Sequence, residues 1–266
     1  MDLYIGTGGY SNKDWLGLLY PNGTKPSDFL EIYAENFNAV ELNSSFYAIP
    51  GIKAFEGMVK KSKAKVRFSI KIPQAMTHKR DAQAELYQQL LESVEPLRQV
   101  GMLGPFLAQF PYSFHRTPAN RIYLAKLIDF FKAESLAIEF RHWSWDKPEV
   151  RKALSAADIS LVAVDFPRMK GLFSSGFRAT NDIAYIRMHG RNSANWWSAK
   201  SAAARHDYLY SHTELGSWVE AIKNHEQELS QVYLMMENTT KGHALSNIAM
   251  LRDLFVELGI EAEVYL

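Results

Sequence analysis

The architecture of this chain is clearest in residues 66–73, which read Val-Arg-Phe-Ser-Ile-Lys-Ile-Pro. Apolar side chains stand at every second position, at Val66, Phe68, Ile70 and Ile72, and polar side chains alternate with them. Successive side chains of a strand point to opposite faces, so one face is apolar and the other polar. A parallel strand within an open sheet is apolar on both faces. The polar face therefore predicts an enclosed polar space, which the interior of a barrel provides.

Runs of similar character recur along the whole chain. The eight runs that we predict to be strands cover residues 3–6, 39–43, 66–73, 102–110, 136–141, 159–166, 184–190 and 232–238. Mostly helical stretches separate them, with starts such as Thr117-Pro118. This alternation predicts an α/β fold, a single (β/α)8 TIM-like barrel that spans residues 1–266 as one domain. Barrels of this kind bind ligands at the C-terminal ends of their strands, so we expect the site there.

The composition restricts the chemistry that the protein can perform. A hydrophobic fraction of 47% with 22% charged residues is typical of a chain that folds. The 30 Lys and Arg residues against 29 Asp and Glu give a formal net charge of +1. No overall field therefore attracts nucleic acid or an acidic membrane. The absence of cysteine excludes disulfides, thiolate metal sites and cysteine nucleophiles.

The start of the chain carries no targeting signal that we can recognise. Residues 1–5, Met-Asp-Leu-Tyr-Ile, lack the basic and apolar regions of a signal peptide. No later run approaches the ~18 apolar residues of a membrane span. We therefore expect a cytoplasmic protein with no membrane partner.

Several short motifs follow one another in a distinctive order. They include residues 5–11 (Ile-Gly-Thr-Gly-Gly-Tyr-Ser), 37–47 (Phe-Asn-Ala-Val-Glu-Leu-Asn-Ser-Ser-Phe-Tyr), 68–73 (Phe-Ser-Ile-Lys-Ile-Pro), 139–142 (Glu-Phe-Arg-His) and 187–191 (Arg-Met-His-Gly-Arg). This combination resembles the YecE-like proteins, a family also called domain of unknown function 72, over nearly the whole chain. The resemblance implies a TIM-like barrel, and the family name implies no particular activity.

One position departs from the family pattern. The last strand of these proteins usually ends in a Phe-Asn-Asn-like triplet, whereas this chain has Met236-Glu237-Asn238. The departure adds a carboxylate at the end of the last strand.

Polar residues concentrate at the predicted C-terminal ends of the strands. They are Glu41, Lys71, Gln109, Glu139, Arg141, His142, Asp165, Arg187, His189, Glu237 and Asn238. Burying ionisable groups costs several kcal/mol each unless they are paired or bind a charged ligand. Their clustering at one end of the barrel predicts a ligand site. The alternative is a self-satisfied set of ion pairs, such as Glu139 with Arg187 and Glu41 with Lys71.

The cationic members of this set suit a small anionic ligand, either phosphorylated or sugar-like. Arginine and lysine both hold phosphate or carboxylate, and arginine does so bidentately. Residues 239–243 lead into the last helix, where backbone N–H groups and the helix dipole can bind an anion. The predicted ligand-binding residues are Lys71, Gln109, Arg141, His142, Asp165, Arg187, Arg191, Asn238 and Lys241.

For catalysis we predict Glu139, His189 and Glu41, with Glu139 or His189 moving a proton. Histidine titrates near neutrality, and a carboxylate one strand away can set its tautomer. The preferred hypothesis is therefore an enzyme with acid/base or hydrolytic chemistry. A non-catalytic small-molecule-binding protein on the same barrel is an alternative, because barrels host many functions.

A divalent metal is a further alternative, held by Glu139, Asp165, His189 and Glu237 at the ends of four consecutive predicted strands. Strand alternation puts Glu237 opposite Asn238, and the family pattern has Asn at that end. We therefore expect Asn238 rather than Glu237 to face the barrel mouth. A nucleotide cofactor is not expected, because the glycines of residues 6–9 lack the G-x-G-x-x-G spacing.

A nucleic-acid-binding barrel, endonuclease-like or isomerase-like with a metal, is the remaining alternative. Residues 53–80 hold nine Lys or Arg against the single acid Glu56 before Asp81, so 9 − 1 = +8 locally. The aromatic residues Trp196, Trp197, Tyr208 and Tyr210 could stack on unpaired bases. We favour a solvated helix face and a packed lid, because alternation turns two of the cations in residues 66–73 into the barrel.

Overall fold

The computed structural model describes residues 1–261 and residue 263, so residues 262 and 264–266 of the predicted domain lie outside the described part. Nine parallel strands form one sheet. They are β1 Asp2–Thr7, β2 Ala39–Leu42, β3 Arg67–Lys71, β4 Leu103–Gln109, β5 Leu136–Glu139, β6 Ser160–Leu161, β7 Ala163–Asp165, β8 Ile183–Met188 and β9 Gln231–Met236.

The sheet curves into a nearly closed barrel. Its strand order is β6-β5-β4-β3-β2-β1-β9-β8-β7, and β6 and β7 are separated only by Val162. The Val162 N–H donates to the carbonyl of Ile138 (3.0 Å). The sixth predicted strand is thus two short strands, one paired with β5 and the other with β8, and their shared segment joins the two ends of the sheet. The predicted TIM-like fold is confirmed, with nine strands in place of eight.

Helices surround the barrel. They are α1 Phe29–Ala34, α2 Ile52–Ser62, α3 Ala84–Ser93, α4 Glu95–Gln99, α5 Pro118–Phe130, α6 Pro148–Ala156, α7 Ala202–Arg205, α8 His212–Asn224 and α9 His243–Glu257. Thr117 caps α5 as its sequence predicts, because its hydroxyl accepts from the N–H of Asn120 (3.2 Å). Among the described residues, no helix is long and apolar enough to cross a membrane.

The barrel interior changes from aromatic to charged along its axis. Near the N-terminal ends of the strands, the Tyr4 ring stacks on Tyr233 and the Arg67 guanidinium lies over Tyr4. One layer higher, the Tyr185 hydroxyl lies within hydrogen-bond distance of the Ser69 hydroxyl (2.7 Å) and of the Glu41 carboxylate (2.9 Å). The alternation that predicted a polar interior therefore places the ionisable groups at the C-terminal end, where the candidate site lies.

Candidate functional site

Arg187 is the centre of the charged cluster at the barrel mouth. Strand β8 carries its side chain inward, where it is 1% exposed. Its Nε and Nη2 donate to the two oxygens of Glu41 (2.8 and 2.7 Å), and its Nη1 donates to Glu139. A third carboxylate, Glu237, lies 3.0 Å from Nη2. The predicted Glu139–Arg187 ion pair is therefore present, whereas within the described part of the chain Glu41 pairs with Arg187 and not with Lys71.

Glu139 lies below the cavity floor between two arginines. Its carboxylate contacts Arg141 on one side and Arg187 on the other, and His189 Nε2 lies 3.4 Å away. Burial opposes ionisation of Glu139, but the positive charges of Arg141 and Arg187 outweigh burial and hold its pKa well below the usual range. Burial and Arg141 together hold the pKa of His189 well below its ordinary value. At neutral pH the pair is thus a carboxylate and a neutral imidazole.

A cavity of about 530 Å³ opens above this cluster. Of the predicted site residues, those that line it are Lys71, Gln109, Arg141, Arg187, His189 and Glu237. Glu41 and Glu139 are fully buried beneath them. Gln109 is fixed in the wall, because its side-chain N–H donates to the Phe110 carbonyl (2.8 Å). The structure therefore gathers most of the predicted charged residues in, or directly beneath, one space that a small ligand can enter.

Lys71 ends β3 and projects its amine into the cavity wall. The Nζ atom lies 4.9 Å from the centre of the Phe46 ring, and no carboxylate among the described residues is within ion-pair distance. Burial, followed by the charge of Arg187, lowers the pKa of this amine to about 8 against the opposing effect of three glutamates. The cavity thus contains an amine that the protein leaves without an anionic partner.

Glu237 faces the cavity and Asn238 faces away from it, so the expected orientation of this pair was wrong. The Asn238 amide donates to the Tyr208 carbonyl (2.8 Å) and to Asn247 of α9 (2.9 Å). Gly8 makes room for Glu237, since a Cβ at that glycine would lie 2.5 Å from a carboxylate oxygen. Burial raises the pKa of Glu237 to about 7, although Arg187 opposes the shift. Glu237 is therefore the carboxyl of this cluster that gains and loses a proton near neutrality.

The loop after β8 covers one side of the cavity with Trp196, Arg205 and His206. The Arg205 guanidinium lies 6.0 Å from the centre of the Trp196 ring, and the described residues offer it no hydrogen-bond or ion-pair partner. Burial and then Arg141 lower the pKa of His206 to about 3. On the opposite wall, burial and then Lys71 lower the pKa of His78 to about 4. Both histidines are therefore neutral, and both experience the positive charge of the cavity.

An aromatic rim borders the cavity mouth. Tyr112 contacts Trp197 and His142 edge-on, each at 4.9 Å between ring centres. His142 also stacks on His115, and burial lowers its pKa. Trp197 is 53% exposed. His142 thus stands one ring behind the cavity wall, where it supports Tyr112.

Asp165 and Arg191 form a second charged cluster, outside the cavity. The Asp165 carboxylate accepts two bonds from Arg191 (2.8 and 2.7 Å), one from Tyr210 (3.1 Å) and one from Trp218 of α8 (2.8 Å). Arg191 also donates to Glu214 (2.9 Å). Strand register explains the location, because Asp165 pairs with outward-facing Met188 and its neighbour Val164 pairs with inward-facing Arg187. Asp165 and Arg191 therefore lie outside this cavity and line a separate pocket of about 290 Å³, and their role in ligand binding stays a prediction.

The four predicted metal ligands do not lie together. Asp165 lies on the helix side of the barrel wall, whereas Glu139, His189 and Glu237 lie on the cavity side. Arginine side chains occupy the spaces between the three inner residues. Within the part of the chain that the structure describes, no group of three or more His, Asp or Glu is arranged to hold a metal ion.

Lys241 lies at the rim near the start of α9, and protein carboxylates already occupy that place. Its amine pairs with Asp207 (2.6 Å), and its backbone N–H donates to Asp14 (3.0 Å). His243 contacts the other oxygen of Asp207 (2.9 Å). The anion site that we expected at this helix start is therefore filled by Asp14 and Asp207, although Thr239 and Thr240 still line the cavity.

The basic segment of residues 53–80 does not form one continuous surface. Lys63 and Lys65 pair with Glu35, and Lys61 donates to the Ser27 carbonyl. Arg67 and Lys71 lie inside the barrel, as alternation predicts. Nucleic-acid binding by this segment stays a prediction.

Sequence reasoning missed several cavity residues because they lie in the turns and single helical turns that connect the strands to the helices. They are Phe46, Tyr47, His78, Tyr112 and His206. Phe46 lies within the motif of residues 37–47, and His78 follows the motif of residues 68–73 by a few positions. This proximity to the motifs was the sequence signal that could have identified them as site residues. His206 and Tyr112 have no periodic pattern around them, because loop positions follow neither strand nor helix repeats.

Comparison with known proteins gives one consistent result. The family model described as "Protein of unknown function DUF72" matches residues 4–262. The UPF0759 protein YunF of Bacillus subtilis (strain 168) is 29% identical over 261 residues, which cover 92% of each protein. A DUF72 family protein from Thermotoga maritima MSB8 superposes with a TM-score of 0.88 at 35% identity, over 96% of this chain and 100% of that one. A DUF72 family protein from Enterococcus faecalis V583 superposes with a TM-score of 0.86 at 26% identity, over 98% and 97% of the two chains.

Proposed function

This chain belongs to the DUF72 family, and on that premise we propose that it is an enzyme that binds a small anionic ligand in the cavity at the barrel mouth. One observation carries the proposal. Two cations that line the cavity, Lys71 and Arg205, have no acidic partner in the described part of the chain. Every other arginine of the inner cluster is engaged by glutamate.

The side chains of Lys71 and Arg205 are both partly buried. Partly buried cations without partners are costly, so their retention favours a ligand of opposite charge. The neighbouring histidines support this interpretation. The pKa of His78 and of His206 is lowered first by burial and then by nearby cations, which indicates a positive potential on both walls. An anion bound between these walls would interact with Lys71 and Arg205 directly.

The cavity also suits a phosphorylated sugar-like molecule in shape and surface. Its volume of about 530 Å³ lies within the range of ordinary ligand pockets. Trp196, Trp197 and Tyr112 provide flat apolar faces beside the cations. Aromatic faces of this kind pack against the C–H surface of a sugar while polar groups bind its oxygens. We therefore place the phosphate near Arg205 and the carbon skeleton between it and Lys71, along the aromatic rim.

The residue that we propose for proton transfer is Glu237, and not Glu139 or His189 as the sequence indicated. Glu139 and Glu41 act as counter-ions of Arg187, and His189 is a neutral hydrogen-bonding group on the floor. Glu237, whose pKa is raised by burial to about 7, exchanges a proton at physiological pH. We propose Glu237 as the general acid or base.

Isothermal titration calorimetry with inorganic phosphate, sulfate and a panel of phosphorylated trioses, pentoses and hexoses tests the proposal. Lys71→Gln and Arg205→Gln should each weaken binding by about tenfold or more, the equivalent of about 1.4 kcal/mol. The exposed Lys132 and the partly exposed Arg151, which lie outside the cavity, provide matched controls, and Lys132→Gln and Arg151→Gln should bind as the unmodified protein does. Equal affinity in all five proteins, or no binding of any compound, would contradict it.

A binding protein without turnover would use the same cavity. Incubation of each bound compound with the protein, followed by mass spectrometry of the mixture, separates the two functions. Chemical conversion that Glu237→Gln abolishes supports an enzyme, and tight binding without any conversion supports a sensor.

A further inference from the structure

We propose that Lys71 is an amine nucleophile that forms an imine with an aldehyde or ketone group of the ligand. This inference rests on the proposed function and adds a substrate class to it. The ligand would be a small anion that also carries a carbonyl, such as a phosphorylated sugar in its open-chain form.

The position of Lys71 carries the inference. It is the last residue of β3, so a rigid strand fixes its backbone at the cavity wall. Its amine faces the cavity and rests against the Phe46 ring at 4.9 Å. A nucleophile must be exposed to the ligand and held in place, and both conditions are met here.

The surrounding charges distinguish Lys71 from a structural cation. Three glutamates converge on the inner cluster, and all three bond to Arg187. Lys71 forms no such bond with any described residue. It nevertheless faces the same barrel interior, on a strand that pairs with the strand of Glu41. A lysine that served only to neutralise these carboxylates would form an ion pair with one of them. The arrangement leaves the amine available for a ligand.

The protonation state supports the same role. Burial and the charge of Arg187 lower the pKa of Lys71 to about 8, with Glu41, Glu237 and Glu139 opposing them. At pH 7 about a tenth of the molecules then carry the neutral amine, on the order of 200-fold more than for a lysine with the usual pKa of about 10.4. Desolvation beside another cation is a recognised means of activating lysine for imine chemistry.

The step balances without any further reactant. The Nζ lone pair forms a bond to the carbonyl carbon, and the C=O π electrons move to oxygen, which takes a proton from the amine to give a carbinolamine. The carboxyl of Glu237 then protonates the hydroxyl, which leaves as water while the nitrogen lone pair forms the C=N bond. The products are a protonated imine, one water molecule and the Glu237 carboxylate. The new positive charge lies in a cluster that already contains three glutamates.

Reductive trapping tests the proposal. The probes are dihydroxyacetone phosphate and its uncharged counterpart dihydroxyacetone, each added with sodium cyanoborohydride at pH 7. Peptide mapping by mass spectrometry then locates the adducts. We expect one fast adduct on Lys71 with the phosphorylated probe, at least about tenfold faster than on exposed lysines such as Lys132. Lys71→Arg, which keeps the positive charge and the fold, should lose this adduct, and Lys132→Gln should retain it.

The outcomes separate the two proposals. If the phosphorylated probe binds in calorimetry but labels Lys71 no faster than exposed lysines, the imine proposal is wrong and the anion site stands. Fast labelling of Lys71 by both probes at equal rates supports the nucleophile and contradicts the anion site. Fast labelling that depends on the phosphate, and that inorganic phosphate slows, supports both. Absence of both binding and labelling contradicts both.

Discussion

The barrel carries two charged clusters at the same end, and they differ in how completely they are satisfied. The outer cluster is Asp165 with Arg191, Tyr210, Trp218 and Glu214, in which the two oxygens of Asp165 together accept four hydrogen bonds. The inner cluster surrounds Arg187 and retains groups without hydrogen-bond partners. Within the described residues, Lys71 Nζ has no hydrogen-bond or ion-pair partner, and the buried atoms Arg205 Nε, Glu237 Oε1 and His189 Nδ1 are among those with no hydrogen-bond partner.

The difference shows that an ion pair at the end of a barrel strand is not by itself a sign of function. Both clusters pair an arginine with a buried carboxylate, and both lie at strand ends. The outer cluster holds a loop and α8 against the barrel, and both oxygens of its buried carboxylate are engaged by protein donors. The inner cluster has a surplus of polar groups facing an open cavity. Polar groups that lack hydrogen-bond or ion-pair partners, rather than charge alone, indicate the ligand site.

Removing Arg187 should have the largest effect. Arg187→Met leaves Glu41 and Glu139 buried without their main counter-ion, so we expect the free energy of unfolding to fall by about 3–5 kcal/mol. Urea denaturation at pH 7 measures this change. A loss below about 1 kcal/mol would mean that the inner cluster is not the electrostatic centre of the fold.

Removing Asp165 should affect stability and leave binding unchanged. Asp165→Ala leaves Tyr210 and Trp218 without their acceptor and leaves Arg191 with Glu214 alone, which we expect to cost about 2–4 kcal/mol of unfolding free energy. Calorimetric affinity for inorganic phosphate should stay within about twofold of the unmodified protein. A strong loss of affinity in a folded Asp165→Ala protein would show that the two clusters act as one functional unit and would contradict their separation.

Removing Lys71 should stabilise the protein while it abolishes function. The folded-state pKa of about 8 lies below the usual lysine value, so folding disfavours the charged amine and this cost is present below pH 8. Lys71→Met should therefore raise the unfolding free energy at pH 6 by about 1–3 kcal/mol. The gain should shrink as the pH rises through 8 toward 10, since the unfolded amine then also loses its proton. A gain that is independent of pH would contradict the shifted pKa.

Glu237 should give a smaller effect with the opposite pH dependence. Its folded-state pKa of about 7 lies above the usual carboxyl value, so the fold disfavours the carboxylate. Stability should fall as the pH rises from about 4.5 to 7 and stay level above that. Glu237→Gln removes this cost, and its advantage over the unmodified protein should be about 1–2 kcal/mol greater at pH 8 than at pH 5. Thermal denaturation of both proteins across this pH range measures the difference.

The sequence predicted the barrel because period-two alternation is strong where one face is charged. Strands β3, β5 and β8 carry that pattern, and it correctly placed Lys71, Glu139 and Arg187 in the interior. The predicted ion pair between Glu139 and Arg187 follows from the same reasoning. Position inside a barrel is thus readable wherever the two faces differ in polarity.

Alternation failed where a strand is apolar on both faces or where the chain turns. Residues 161–166 read Leu-Val-Ala-Val-Asp-Phe, so their pattern does not reveal which face holds Asp165. Arg187 and His189 both face inward, and alternation would place Arg191 inward as well. Gly190, with a positive φ of 88°, turns the chain before Arg191, so that Arg191 faces outward. The family pattern led to the wrong orientation for Glu237. Alternation counted from the inward-facing Tyr233 places Glu237 inward, as observed.

The most direct test of the account is the pKa of Lys71 itself, with and without an anion. Nuclear magnetic resonance of the lysine side-chain carbons, with Lys71→Arg used to assign the signal, follows its titration. We predict a midpoint near 8 in the protein alone and a clear rise when inorganic phosphate is added, because a bound anion favours the charged amine. A midpoint near the usual value of about 10.4 that phosphate does not move would contradict the central claim that the inner cluster holds an uncommitted cation for a ligand.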